Sequence, residues 1–467
     1  MQTIKPKNDL TEGSILAHIK RISIPASIGF LFNTLFNVVD TFYAGQISKE
    51  ALAGLSLSFP VFFIIIALSS GLGSGTTALA SIALGKKDKK EFHMLALNAL
   101  LLALIAGFLV MFFAPLVTEP LFRFQGAVDE PLALGISYTN TIFLGGIFFI
   151  LNFTINGLLN AQGDTKSFRN FLIIGFFLNL ILDPLFIFGW FGLPQLGVMG
   201  IALATIIVQL IGTIYLTYRL LTSEVFEKAL FKASKFSFTI IQAILKQGIP
   251  ASLNMATIAL GVFVINYFVV LYGGSDAVAG FGAALRIEQL ALLPALGLNV
   301  AALTIAGQNY GAKQLDRIYE VRRLTTIIGL SIMTVGIIVI YPLARILVGV
   351  FTDAPNVIFE GVRYLRIEVF AFYTYVILNI NISLLQGIKR PNFAMIIGVF
   401  RQILPAGIFY LLGTTLGMGV IGVWWGIVII NWLAVIITYF FTSYQLRQLP
   451  KTDFKGDIKP DPIINLK

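Results

Sequence analysis

The chain contains no cysteine and only two histidines in 467 residues. Without thiols there can be no disulfide, no cysteine nucleophile and no thiolate metal site, although nothing follows about redox compartment. The histidines, His18 and His93, fall near the ends of apolar stretches, which argues against a histidine-based hydrolase and against a zinc site. Charged side chains are also scarce, at 12% of residues, about half of what a water-facing domain carries. No glycine-rich loop ends in the lysine that cradles nucleotide phosphates, so ATP is not expected to act directly. Gly71, Gly73 and Gly75 fall inside an apolar run, where close helix packing explains them better. The first twenty residues lack the continuous apolar core of a removable signal peptide.

What is abundant is apolar sequence, at 57% of residues. Runs of about 20 apolar residues recur from end to end, and each is long enough to cross a bilayer. They predict an all-α membrane protein with twelve spans, near 22–43, 52–83, 92–115, 132–158, 168–190, 196–218, 243–272, 277–306, 324–347, 361–386, 393–414 and 419–444. The implied divisions are an N-terminal segment 1–21, a first lobe 22–218, a polar linker 219–242, a second lobe 243–444 and a tail 445–467. Positive charge tests the count. Of the 33 lysines and arginines, 26 fall on one side, four (Lys49, Arg123, Arg345, Arg363) on the other, and three (Arg286, Arg366, Arg401) within spans. The rich side holds both termini and the alternate loops, including Lys86, Lys87, Lys89 and Lys90. An even span count with this bias places both termini in the cytoplasm of a cell whose inner membrane the chain crosses. The net charge of +10 then faces anionic lipid headgroups, and no nucleic-acid partner is needed to explain it.

The halves resemble each other at offsets of 222 to 226. Pro25-Ala26-Ser27 recurs as Pro250-Ala251-Ser252, Gly85-Lys86-Lys87 as Gly311-Ala312-Lys313, Gln162-Gly163 as Gln386-Gly387, and Gly197-Val198-Met199-Gly200 as Gly419-Val420-Ile421-Gly422. Six spans per half give both halves the same orientation, hence a parallel repeat about an axis along the membrane normal, an architecture typical of transporters.

Ionisable groups inside a bilayer are costly and mark function by default. Four acids lie well inside the predicted spans: Asp40, Asp183, Glu288 and Glu368. Asn33, Asn37 and Asp40 share a face of the first helix, and Asn179 and Asp183 a face of the fifth. Asn152, Asn156 and Asn160 form a polar stripe on the fourth, and the sixth adds Thr205 and Gln209. Oxygen-rich clusters suit Na⁺, and paired carboxylates suit a proton carrier. Hydrogen-bonded helix packing explains the asparagines as well, but two ionisable aspartates poorly. Under the repeat, Asp40 falls near Ile265 and Asp183 near Gly407, so the ion site is expected in the first half only. Glu288 and Glu368 each follow an arginine, Arg286 or Arg366, by two residues, a spacing that does not pair on a helix, and are read as structural or gating groups. Pro25, about four turns before Asp40, removes a backbone hydrogen bond and is either a static kink or a hinge.

These segments resemble the multidrug and toxic compound extrusion (MATE) family, and within it the branch named for DNA-damage-inducible protein F. The resemblance covers about 12–446. It is carried by Asn37-Val38-Val39-Asp40, the Leu84-Gly85 basic loop, Gln162-Gly163-Asp164, Asn179 to Pro184, and Gly307-Gln308-Asn309-Tyr310-Gly311-Ala312. It implies a V-shaped fold of two six-helix lobes that acts as a monomer and is not an enzyme. It implies export of small organic, often cationic and amphipathic, compounds in exchange for H⁺ or Na⁺, with no other cofactor. By position, Asp40, Asn156, Asn179, Asp183 and Thr205 match the family's first-lobe site for a proton or cation, with Na⁺ at Asp40, Asn179, Asp183 and Thr205. Pro25 matches the bending proline. Asn37, Asn152, Arg286, Glu288 and Glu368 remain as secondary polar positions. The acidic seventh-helix site of another branch is missing, since no acid occurs between Lys246 and Leu271.

Two further transporter classes compete: a lipid-linked precursor flippase of the same superfamily, with about two more spans and a cationic cavity, and a major-facilitator transporter, whose loop signature Gly85 to Lys90 does not reproduce. An intramembrane enzyme would need a nucleophile and base in the bilayer, and none is visible.

Overall fold

A computed structural model describes residues 9–452. The basic terminal residues Lys5, Lys7, Lys455, Lys459 and Lys467 lie outside this range. Every regular element among the described residues is helical. The α-helices are α1 (Ile15–Ile47), α2 (Lys49–Gly85), α3 (Lys89–Phe124), α4 (Asp129–Leu144), α5 (Gly146–Ala161), α6 (Lys166–Phe188), α7 (Val198–Leu221), α8 (Lys228–Ala233), α9 (Phe238–Gly311), α10 (Leu315–Gly349), α11 (Pro355–Glu368), α12 (Phe372–Gly387), α13 (Asn392–Tyr410) and α14 (Val420–Thr452).

Among the described residues, nine of these are long and apolar enough to span a bilayer, and two bent pairs, α4 with α5 and α11 with α12, are each long and apolar enough to do so together. α9 has 74 residues and would be roughly 110 Å long if straight, several times a bilayer core. It turns at Gly274, where φ is 65° and ψ −163°, and so supplies two spans. The total is twelve.

Two spans depart from the sequence reading. The fourth and tenth were expected as unbroken helices. They bend by 49° at Gly145 and by 53° between Glu368 and Phe372. Gly145 plus 226 is Ala371, so the break recurs at the same place in the repeat. The reason is local: neither bend has a proline in it, and each is marked instead by tight i→i+3 backbone bonds, Gly145 N–H to Ile142 and Phe148 N–H to Gly145 in one, Ala371 N–H to Glu368 in the other. Apolar periodicity carries no sign of such a bend.

The same offset governs the helix ends. Lys87 and Lys313 both adopt φ near +60°, and so do Gly163 (φ 74°) and Lys389 (φ 60°). In each case the next residue's N–H reaches back to close the last turn, as with Asp88 to Ala83 and Gln314 to Asn309. This left-handed cap ends a helix compactly. It pairs Gly163 with Lys389 rather than with Gly387, so the structural register there is 226.

The residues divide into two compact units, 28–252 with 9–10, and 253–452 with 11–27. In the first, glycines let helices touch. A Cβ on Gly157 would lie 2.5 Å from the Gly73 carbonyl oxygen, and one on Gly73 would lie 2.8 Å from that of Phe153. Gly71 and Gly75 face Gly248 and Ser252 in the same way. The glycine run is therefore a packing surface for α5 and the start of α9. In the second unit, Ser27 donates to the Pro294 carbonyl at 3.2 Å. Pro25 lies ten residues into α1 rather than at its start, and the helix continues through it.

His93 is buried and structural. Its Nδ1 donates to the Lys89 carbonyl at 2.6 Å, and its Nε2 accepts the Glu227 N–H at 2.8 Å. Asn98 adds bonds to the Lys235 carbonyl and Ser237 N–H. Together they pin the 222–237 linker to α3. The Glu227 carboxylate, hydrogen-bonded to Lys89, is held below its ordinary carboxylate range by that contact. Arg322, counted by sequence among the loop cations, is instead buried on α10. It donates to Asn381 Oδ1 and Ser443 Oγ at 2.8 Å and to the Tyr439 carbonyl at 3.1 Å, and joins α10, α12 and α14.

Candidate functional site

The first unit contains a cavity between α1, α2, α4, α5, α6 and α7. Six phenylalanines line it: Phe36, Phe62, Phe149, Phe153, Phe168 and Phe171. Its polar lining is Asn33, Asn37, Asp40, Tyr138, Asn152, Thr205 and Gln209. Asp40 is the one charged residue in that lining.

Asp40 and Asp183 are 143 residues apart in sequence, yet one amide joins them. Asn179 Nδ2 donates to Asp40 Oδ1 at 2.5 Å and to Asp183 Oδ2 at 2.9 Å. Thr205 Oγ1 lies 3.4 Å from Asp40 Oδ2. Asp40, Asn179, Asp183 and Thr205 are each no more than 5% exposed. Two oxygens in this cluster, Asn179 Oδ1 and Asp183 Oδ1, are buried with no hydrogen-bond partner. Such orphaned acceptors are costly unless something donates to or coordinates them.

Asn156 Oδ1 is buried without a partner, and Asn156 forms no hydrogen bond to either aspartate. Asn152 donates to the Gln209 carbonyl and to Gln209 Oε1 and belongs to a second polar cluster in the same cavity. Asn37 spends its Nδ2 on the Asn33 carbonyl, one turn back. Tyr138 was not anticipated. It is buried in the cavity wall, within electrostatic range of both aspartates. A tyrosine near a span end reads as an interfacial anchor, and only the packing of α4 against the other cavity helices shows otherwise.

The second unit holds the two further carboxylates, Glu288 and Glu368, that the sequence reads as structural or gating groups. Glu288 and Glu368 are 4% and 0% exposed. Tyr364 donates to Glu288 at 2.6 Å and Tyr375 to Glu368 at 2.8 Å. The cation acting on both is Arg401. Arg286 and Arg366 point outward onto Phe351 and Tyr341. The sequence named both acids but not their partners, because Tyr364 reaches Glu288, and Arg401 acts on both, only through the packing of separate spans.

The sequence profile of the MatE family matches twice, over residues 25–185 and again over 250–411. The chain belongs to the MatE family. The two matches, offset by 225 to 226, also restate the internal repeat. MatE proteins are membrane transporters, and this chain is a multi-pass transporter and not an enzyme. It is 28% identical over 430 residues to the probable multidrug resistance protein NorM of Thermotoga maritima, covering 91% of this chain and 90% of that one. It is 28% identical over 448 residues to the FAD transporter of Shewanella oneidensis, covering 94% and 97%. A solved MATE structure in a bent conformation matches with a TM-score of 0.90 at 28% identity, covering 97% of this chain and all of that one.

Proposed function

We propose that this MatE transporter exports amphipathic organic cations in exchange for H⁺ or Na⁺, by alternating access, across the cytoplasmic membrane and as a monomer with both termini inside. The observation that supports this most is the single Asn179 amide holding two buried carboxylates together beside an aromatic cavity. When both carboxylates are ionised they repel at short range in a poorly screened interior. A proton or a cation removes that cost. The orphaned Asn179 Oδ1 and Asp183 Oδ1, with the Asp40 carboxylate and Thr205 hydroxyl, form an all-oxygen donor set of the kind a hard cation takes. A drug cation drawn to Asp40 then competes with the coupling ion, and linkage makes that competition mutual. Pro25, which leaves one backbone carbonyl of α1 without its helical donor, weakens the helix that carries Asp40 and gives it a place to bend.

The cavity lining distinguishes this from its rivals. A carrier of FAD or of a lipid-linked pyrophosphate needs cations at the substrate, and no lysine or arginine lines this cavity. The test is uptake into everted membrane vesicles under separately imposed pH and Na⁺ gradients, with tetraphenylphosphonium and FAD as probes. Gradient-dependent accumulation of tetraphenylphosphonium alone is expected. Accumulation of FAD, or of neither probe under either gradient, defeats the proposal.

A further inference from the structure

We infer that Gln209 is a specificity-determining residue that selects, among organic cations, those carrying a hydrogen-bond acceptor about one helical turn from the cationic centre. The inference rests on the export reading above and deepens it.

Gln209 lines the cavity four residues along α7 from Thr205, about 6 Å along the axis. Its amide is held in one orientation. Asn152 Nδ2 donates at 2.9 Å to the Gln209 backbone carbonyl, which can only accept, so the Asn152 amide cannot be reversed. The same nitrogen donates its other hydrogen to Gln209 Oε1 at 2.7 Å. Thr213 closes the set, with its hydroxyl 2.9 Å from Asn152 Oδ1. Reversing the Gln209 amide would set one NH₂ against another. Its oxygen is therefore committed to Asn152, and its Nε2 forms no hydrogen bond with any described residue. Gln209 lines the cavity beside Phe149, Phe153 and Phe171, and its Nε2 is left with two donors to offer there. An acceptor on the substrate gains a bond there, and an isostere without one leaves the donors unpaired. Sites built to hydrogen-bond a group reject the analogue lacking it more strongly than apolar pockets reject a methyl.

The test uses a matched pair, (4-oxopentyl)triphenylphosphonium and (4-methylpentyl)triphenylphosphonium, which differ by a ketone oxygen against a methyl. Both are offered together to energised everted vesicles. We expect the wild type to favour the ketone, and Gln209→Met to reduce the ketone-to-methyl transport ratio by about two- to tenfold, the range of one net hydrogen bond. Transport of the methyl compound should persist. Partitioning differences cancel in the comparison between proteins. An unchanged ratio in Gln209→Met overturns the inference. If that variant moves neither probe, Asn152→Leu decides: the ratio should narrow because the amide is freed, and an unchanged ratio overturns the inference. Wild-type vesicles that move neither probe refute the export reading itself, and this inference with it.

Discussion

Replacing Asp40 by asparagine changes little in shape and removes the ability to titrate. The asparagine oxygen can accept the Asn179 bond now made to Asp40 Oδ1 at 2.5 Å. Its NH₂ faces Thr205 Oγ1, 3.4 Å from the present Oδ2, and a hydroxyl accepts as well as donates. Both contacts survive, so the folding cost should stay below about 1 kcal/mol. Asp183→Asn keeps the Oδ2 contact to Asn179, and an NH₂ in place of the unpartnered Oδ1 can donate to the Asp40 carboxylate beside it, so this variant should fold as well. Energetics of transport separate the two roles. One pH unit supplies about 1.4 kcal/mol per proton, or tenfold accumulation. A coupled wild type should accumulate tetraphenylphosphonium about tenfold per pH unit per proton exchanged, or follow the Na⁺ gradient likewise. Asp40→Asn, at equal expression, should equilibrate the probe and go no further. The assay is steady-state accumulation in everted vesicles against gradient size. A slope unchanged from wild type in both Asp40→Asn and Asp183→Asn, under both gradients, would mean that the aspartates only hold helices together.

Other tests address packing and orientation. Gly157→Ala places a methyl 2.5 Å from the Gly73 carbonyl oxygen and should lower Tm, at about 1–3 kcal/mol for overpacking. Gly336→Ala, with nothing within 4 Å of its added Cβ, should be neutral in the same thermal melt. Arg322→Lys cannot reproduce the three-way contact with Asn381, Ser443 and Tyr439 and should cost about 2–4 kcal/mol, whereas the exposed Arg323→Lys should not; equal melting of the two variants would contradict the buried role. Lys90→Cys, at an exposed position in a chain with no other thiol, should react with an impermeant maleimide in everted vesicles and not in intact cells. The reverse pattern would invert the topology.

Sequence alone determined what depends on composition and period. The scarcity of charge, the recurrence of apolar runs and the 26-to-4 bias of lysine and arginine define twelve spans without any coordinates, because transfer into lipid is a property of each segment by itself. The repeat was visible too, since turns such as Lys87 and Lys313 keep their local chemistry. Asp40 and Asp183 stood out because a lone carboxylate in an apolar run is anomalous wherever it packs. Contacts between distant segments were not legible. That Asn179 bridges both aspartates, that Arg401 rather than Arg286 or Arg366 serves Glu288 and Glu368, and that Arg322 is buried all depend on which helix faces meet. The bends at Gly145 and Ala371 were not legible either, since an apolar pattern does not change where a helix turns by 49° or 53°, and Tyr138's place in the cavity wall depends on which helix faces meet. Gln209 was legible only as one polar residue on a helix. Its fixed orientation, with the oxygen held by Asn152 and the nitrogen left to the cavity, exists because Asn152 on one helix meets Gln209 and Thr213, 57 and 61 residues further along the chain, on another.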